Sequence, residues 1–431
     1  MRIFKSYLQA WDSVGEFWKR KKTERCGQQT YKIKRRIKER FYQTKFVLLQ
    51  KLMIMQESII IRNFGPIKEI EIQDIRPLTV LIGESGSGKS TIMKVIVLFR
   101  WIYKMVNIRS YLKHSKISKS PFRFRFESYL STNGLKDYIK ADTYILYKKG
   151  NNQISYSNKK IDTRVTVPQD ELSLEKLCFI ADKRNIIPDI RDNKKSDGLN
   201  FYLNETFRDF LLASKYIKEI SIDYLGVKYL SKKTSLGTKY FIESVNETNN
   251  YTINLEDSSS GTQTVVPLSV IIEYFSKNYD FKSAFNDVIL NYLSQNDSLK
   301  NFRADMNIGE IKHKNIHIHI EEPELSLYPE SQRNLINFIV NRCFVEQHND
   351  YNMSVMLTTH SPYIINHLNL LIKANDKDKL VEGAKLAYEK LSVYQVENGK
   401  INDLKIQNER LINTNPLSET INDIYDEYNQ L

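Results

Sequence analysis

The stretch LTVLIGESGSGKSTIMKVIVLF, residues 78–99, restricts the folds open to this chain more than any other. LTVLI is a short unbroken apolar run of the kind a strand buried on both faces shows, and STIMKVIVLF has the apolar spacing of a helix. Between them lie Gly83, four residues, then Gly88, Lys89 and Ser90. Strand, glycine-rich loop and helix in that order form a turn that can wrap a phosphate chain. Glycine tolerates unusual dihedrals and has no side chain in the way, so backbone N–H groups converge on the anion. Lys89 then reaches the β- and γ-phosphates, Ser90 is placed to ligate Mg²⁺, and the helix start adds its positive end. The candidate ATP-binding residues are Gly83, Ser85, Gly86, Gly88, Lys89, Ser90 and Thr91.

A phosphate loop hydrolyses nothing without carboxylates at the tip of a neighbouring strand. NIHIHIEEPE, residues 315–324, supplies two adjacent ones, Glu321 and Glu322. Two like charges side by side are tolerable where a cation sits between them and the phosphates. Glu321 is expected on the Mg²⁺ side, through water, and Glu322 is expected to orient or deprotonate the attacking water. Most such sites carry Asp at the metal position. The extra methylene of Glu321 implies slower hydrolysis or a strand set slightly back. His317 and His319 share one face of this strand; they could hold a metal, but hydrogen-bonded histidines within a buried α/β layer are the expectation.

Two more stretches complete an ordered set. INLEDSSSGTQTVVPLSVII places Ser258, Ser259, Ser260 and Gly261 ahead of a helix-like run, where free N–H groups again face an anion. MSVMLTTHSPYIINHL is an apolar strand ending in Thr358, Thr359 and His360. The order of phosphate loop, SSG, EEPE and THSP resembles the ABC/SMC-like ATPases, specifically their OLD-like branch. IIIRNFGPIKEIEI is similar to that branch's opening strands, CFIADKRNIIP to its mid-domain Ala-Asp-x-Arg element, and EEPELSLYPESQ to its extended carboxylate motif. Together these cover most of residues 56–370.

The resemblance implies an α/β fold: an ABC-type P-loop ATPase head with a mixed central sheet, an antiparallel β subdomain and a helical insertion. It also implies a composite site. Two ATPase units pair head to tail, so Ser259, Ser260 and Gly261 of one chain contact the γ-phosphate held by Lys89 of another. His360 senses that phosphate beside the catalytic Glu322. Thr262 stands where transporter-type signatures carry Gln or Glu, with Gln263 next, and Gln153 is the weak candidate for the family's Q-loop glutamine. Chains of this size with EEPELSLYP and THSPYI are most similar to the ATPase subunits of the PARIS and Septu anti-phage systems. That implies a homo-oligomer controlling an effector nuclease in trans, triggered by a phage-encoded protein. A DNA repair or recombination ATPase of the SMC-like group and an ATP-binding scaffold with little turnover are the alternatives, and direct nucleic-acid contact is not required.

Charge and length divide the rest. Of 64 Lys and Arg against 51 Asp and Glu, net +13, residues 1–52 hold 15 basic and four acidic residues, eleven of the thirteen net charges. The body is nearly neutral, so the overall charge is no whole-protein nucleic-acid footprint. Met53 and Met55 precede the first ordered pattern, and residues 1–52 read as an over-extended start, a helical or disordered arm, or a nucleic-acid-binding arm. The expected divisions are this extension, a first core part over 53–100, a β/helical insertion over 101–250, a second core part over 251–375 and a C-terminal segment over 376–431. Within the insertion, DTYILYKKGNNQISYSNKKI predicts a hairpin across Gly150, Asn151 and Asn152, residues 226–256 further antiparallel strands, YLNETFRDFLLASKYIKEI a helix, and PFRFRF a half-buried strand. No long heptad run appears, and the polar DKD at 376–378 is no Toprim strand end. The tail NPLSETINDIYDEYNQL has a helical apolar face that can pack on the core or dock a partner. Three scattered cysteines suggest neither a disulfide framework nor a CxxC zinc site, and no run approaches the ~18 apolar residues of a membrane span. A cytoplasmic setting is expected.

Overall fold

A computed structural model describes residues 56–117, 126–190, 198–235, 237–245, 251–295, 311–346 and 351–431. The basic segment 1–52 lies outside the described residues, as does 121–125 of PFRFRF; Phe126 begins a helix and does not continue a strand.

Alternating isoleucines build the first hairpin. In β1 (Glu57–Phe64) and β2 (Ile67–Ile72), Ile59 faces Ile72 and Ile61 faces Ile70, all on the buried side. β3 (Leu78–Ile82) is buried at every position, and α1 (Lys89–His114) follows from the phosphate loop. α2 (Phe126–Thr132) leads into β4 (Ile139–Lys149), β5 (Asn152–Ser157) and β6 (Lys160–Asp162). The β4–β5 turn falls at Gly150 and Asn151, with Asn152 already paired to Lys149. These strands join the hairpin in an antiparallel sheet ordered β2-β1-β4-β5-β6.

β7 (Ser173–Ile180) ends in a short 3₁₀ segment, Asp182–Asp189. α3 (Phe201–Tyr216) stops before the expected helix does, because Glu219–Ile222 pairs as strand β8. β9 (Val227–Thr234), β10 (Gly237–Ser244) and β11 (Thr252–Asn254) complete a second antiparallel sheet, ordered β11-β10-β9-β8. Then come α4 (Ser260–Lys277), α5 (Phe281–Gln295), β12 (His313–Glu321), α6 (Pro329–Val340), β13 (Asn352–Thr359) and α7 (Pro362–Asp376). β14 (Leu391–Glu397), β15 (Lys400–Asp403), a two-residue pair β16 (Lys405–Ile406) and β17 (Leu411–Ile412), and α8 (Glu419–Gln430) finish the chain.

The central sheet is ordered β15-β14-β3-β13-β12-β7, parallel throughout except for β15 at the edge. It is mixed, as the resemblance implies. Its membership cuts across the expected divisions: the middle segment contributes β7 and the C-terminal segment contributes β14 and β15. Strand pairing joins residues distant in sequence, and composition does not mark that. Parallel strands put their carboxyl ends on one side, where α/β folds bind ligands. Ile82 pairs with Thr359 and Thr358 with Glu321, so the phosphate loop, His360 and the carboxylates leave the sheet together.

Behind these strands runs a buried polar network. Arg100 of α1 grips Glu57 of β1 with two hydrogen bonds, 2.7 and 2.8 Å, and reaches His319 Nε2 at 2.8 Å. His317 bridges Glu175 (2.8 Å) and Ser354 (2.6 Å), and Lys149 meets Glu175 at 2.8 Å. Both histidines are therefore hydrogen-bonded core residues, and among the described residues no cluster of metal-ligating side chains exists. Burial raises the Glu57 carboxyl, but Arg100 more than offsets this and holds it at about 2. Cys178 and Cys343 are buried free thiols, and no described helix is long and apolar enough to cross a membrane. In the tail helix Ile424, Tyr425, Tyr428 and Leu431 are exposed, so these four do not pack on the core.

Candidate nucleotide site

The loop after β3 is shaped by what glycine lacks. A Cβ on Gly83 would lie 2.3 Å from the carbonyl oxygen of Val396 on β14, and Gly88 caps α1 with a φ of 108°, which a residue with a side chain rarely adopts. Lys89 Nζ donates to the carbonyls of Gly83 and Glu84, both at 2.8 Å. Burial lowers the affinity of this ammonium for its proton, while Glu322, Glu324 and Glu84 raise it, with a net downward shift. A lysine folded over the loop, within the field of the carboxylate turn, is placed to exchange two carbonyls for phosphate oxygens. Ser87 Oγ, Thr358 Oγ1 and one oxygen of Glu324 are buried with no partner among the described residues. Such orphaned polar atoms fit a polyphosphate and its hydrated cation.

The two adjacent glutamates diverge. Glu321, the last residue of β12, is buried and pairs with Lys94 Nζ at 3.0 Å. Lys94 also lies over the Tyr202 ring, 5.2 Å from its centroid. The carboxylate expected to face Mg²⁺ thus has a protein cation beside it. A lysine inside the apolar run STIMKVIVLF was the sequence signal for this partner, since a charge there requires an acid.

Glu322 turns away because its backbone is left-handed, with φ 45°. Its N–H donates to the Thr358 carbonyl at 2.9 Å, and its Oε1 lies 3.4 Å from His360 Nε2. Glu324 ties the same turn to the next strand, accepting from Thr359 Oγ1 at 2.7 Å and from the His360 N–H at 2.6 Å. Sequence reasoning left Glu324 without a role; the third acid of EEPE, followed by THS on a neighbouring strand, was the available signal.

Arg184 was likewise missed as a contributor. From the Ala-Asp-x-Arg element it inserts, fully buried, behind the carboxylate turn and donates to the carbonyls of Glu321 and Glu322, each at 2.8 Å.

The signature serines sit at the start of α4. Ser259 is its N-cap, accepting from the Thr262 N–H at 3.3 Å, and Ser259 and Ser260 are exposed. Thr262 is buried, and Gln263 donates to the carbonyls of Glu256 (2.7 Å) and Ser258 (3.1 Å), so neither is free for a ligand. A Cβ on Gly261 would meet the Ser326 carbonyl oxygen at 2.9 Å, which packs the signature against the carboxylate turn of its own chain. Among the described residues no hydrogen bond joins Ser259, Ser260 or Gly261 to the phosphate loop. Gln153 is exposed on β5 opposite Lys148, in the antiparallel sheet, with no hydrogen bond to the site among the described residues.

Residues 78–366, about two-thirds of the chain, match the family described as "AAA domain, putative AbiEii toxin, Type IV TA system", and the chain belongs to that family. No curated protein matches it. Similar solved structures include an SMC head bound to the C-terminal winged-helix domain of ScpA, at 10% identity and TM-score 0.35, covering 82% of this chain and 99% of that one. The SMC head domain from Thermotoga maritima gives 11% and 0.32, covering 82% and 99%. The recombination mediator RecF gives 9% and 0.31, covering 81% and 99%.

Proposed function

We propose that this member of the AAA family is a Mg²⁺-dependent ATP hydrolase that self-associates through ATP and controls a separate effector. The observation that carries the reading is the convergence of Lys89, Glu322 and His360 at one edge of the central sheet, with the Glu322 carboxylate 3.4 Å from the His360 imidazole.

In this reading the N–H groups of the loop from Gly83 to Thr91 hold the phosphates, and Lys89 transfers its ammonium from the Gly83 and Glu84 carbonyls to them. Ser90 and Glu321 would hold Mg²⁺, which supplies charge neutralisation at the phosphates. Glu322 Oε1 accepts a proton from the attacking water, and His360 steadies that carboxylate and reads the γ-phosphate. Ser259, Ser260 and Gly261, exposed or half-buried at the α4 start, serve a second chain's nucleotide, so hydrolysis separates the pair.

The family description names a toxin–antitoxin system, and the sequence most resembles the AriA ATPase subunit of the PARIS anti-phage system, with PtuA of Septu second. Both resemblances support a cytoplasmic sensor and scaffold that releases or restrains a partner nuclease when a phage protein arrives. One observation favours a low-turnover scaffold as the second reading: the Glu321–Lys94 ion pair at 3.0 Å competes with the metal.

The deciding experiment measures ATP turnover and assembly size for wild type, Lys89→Ala and Glu322→Gln with Mg²⁺. A switch loses turnover in both and accumulates the ATP-bound assembly only in Glu322→Gln. A scaffold gives the same assembly for Glu322→Gln as for wild type, which would exclude the hydrolytic switch.

A further inference from the structure

Arg184 has an unusual environment. It is completely buried, yet its hydrogen bonds go to main-chain carbonyls, and Glu324, Asp182, Glu322 and Glu321 act on its charge only from a distance. Its guanidinium is satisfied by four main-chain carbonyls from three segments. Nη1 donates to Ala181 (3.1 Å) and Glu321 (2.8 Å), Nη2 to Glu322 (2.8 Å), and Nε to Thr264 (3.1 Å). Burial opposes the guanidinium's charge, yet an apolar residue here would leave four buried carbonyls without this donor. The arrangement fits a positioning task, because a planar fork fixes the mutual placement of every carbonyl it touches.

What it joins is informative. Thr264 lies in the second turn of α4, whose first residues are the signature; Glu322 is the candidate base. Glu322 holds a left-handed φ of 45°, which a non-glycine residue keeps only where the surrounding structure holds it there. Its N–H is held by the Thr358 carbonyl and its carbonyl by Arg184. A second contact between the same two elements closes the unit, since the Gly261 backbone is packed directly on the Ser326 carbonyl.

We infer that Arg184 is a positioning residue that ties the signature end of α4 to the peptide of Glu322, so the two shift as one body. Engagement of Ser259–Gly261 by a nucleotide on a second chain then resets the catalytic carboxylate of the first. The two sites of an assembly become coupled, and neither fires until its own signature is engaged. This inference rests on the ATPase reading above.

The test is a double-mutant cycle on Arg184→Lys and Ser259→Ala, reading kcat, KM and binding of a fluorescent ATP analogue with Mg²⁺. Lysine keeps the charge but has one nitrogen, which cannot span four carbonyls. Arg184→Lys should lower kcat by about tenfold or more with KM and analogue binding within about threefold of wild type. The kcat loss from Ser259→Ala should shrink to about threefold or less in the Arg184→Lys background, because the path it acts through is already cut. Losses that simply multiply, or binding that falls in proportion to kcat, would overturn the tie. Should Arg184→Lys fail to fold, hydrogen exchange on the wild type decides: a non-hydrolysable ATP analogue should protect segments 259–265 and 320–327 together, and protection of one alone overturns the inference. A wild type that matches Lys89→Ala in binding and turnover would sink the ATPase reading itself, whereas an active wild type with multiplicative losses sinks only the role of Arg184.

Discussion

His360 Nε2 lies 3.4 Å from Glu322 Oε1, and the two residues leave adjacent parallel strands just beyond the pair Glu321 and Thr358. Each side chain is about a third exposed, so the pair is reachable by water and by a bound phosphate. Replacing Glu322 with Gln removes the base while keeping the shape, and turnover should fall about 10²–10⁴-fold. His360→Ala should lose less, about 10–10²-fold, because it acts through charge and orientation. Steady-state phosphate release measures both, and equal losses would refute the division of roles.

Glu321 and Lys94 make a separate prediction. Lys94→Met strands a buried carboxylate, which is destabilising by about 3–5 kcal/mol in comparable cases. Mg²⁺ bound through Glu321 should restore part of that loss. Thermal unfolding of Lys94→Met should therefore respond to added Mg²⁺ and nucleotide more strongly than the wild type does. An equal response in both proteins would mean that Glu321 does not face the metal.

Acid stability follows from the buried histidines. Burial, assisted by Arg100, lowers His317 to about 4, and burial with Arg333 lowers His367 to about 4. Their unfolded values lie near 6.5, so between roughly pH 6.5 and 4 the unfolded chain binds more protons than the folded one. Stability should fall as pH drops through that window. Glu57, held at about 2, adds a further loss from about 4.5 down to about 2, where the unfolded carboxyl is protonated and the folded one is not. Urea midpoints measured against pH check the sign, and His367→Gln should flatten the upper part of the curve.

Gly83 tolerates no side chain. A Cβ at this position would stand 2.3 Å from the Val396 carbonyl oxygen, so Gly83→Ala must displace backbone, at about 1–3 kcal/mol. Nucleotide binding should weaken more than Tm falls, because the displaced backbone is the cradle itself. Calorimetric titration alongside thermal unfolding separates the two.

The tail helix should be dispensable for folding. Ile424, Tyr425, Tyr428 and Leu431 are exposed, and residues 422–431 are exposed throughout, so removing 422–431 deletes little burial. Tm should change by no more than about 1–2 °C; a larger drop would show that the helix packs against its own chain in solution.

The phosphate loop, the carboxylate strand, the His360 strand and the signature helix could all be read from the sequence, because each depends on a local pattern. Apolar runs set β3, β12 and β13, and a cap serine sets α4. The expectation that His317 and His319 are hydrogen-bonded within a buried layer also holds, although alternation with isoleucine alone would put them on a solvent face. What tertiary structure decided is which side chains meet. Lys94 reaches Glu321, Glu324 holds the His360 N–H, and Arg184 gathers carbonyls from segments up to 138 positions away in the chain. Strand order is equally nonlocal: β14, near the chain's end, pairs with β3, and β7 of the expected insertion lies beside β12. Periodicity records only whether a residue is buried. Its buried partner is fixed by how the strands are ordered and how the helices cross them, and that depends on packing energies shared across the whole core.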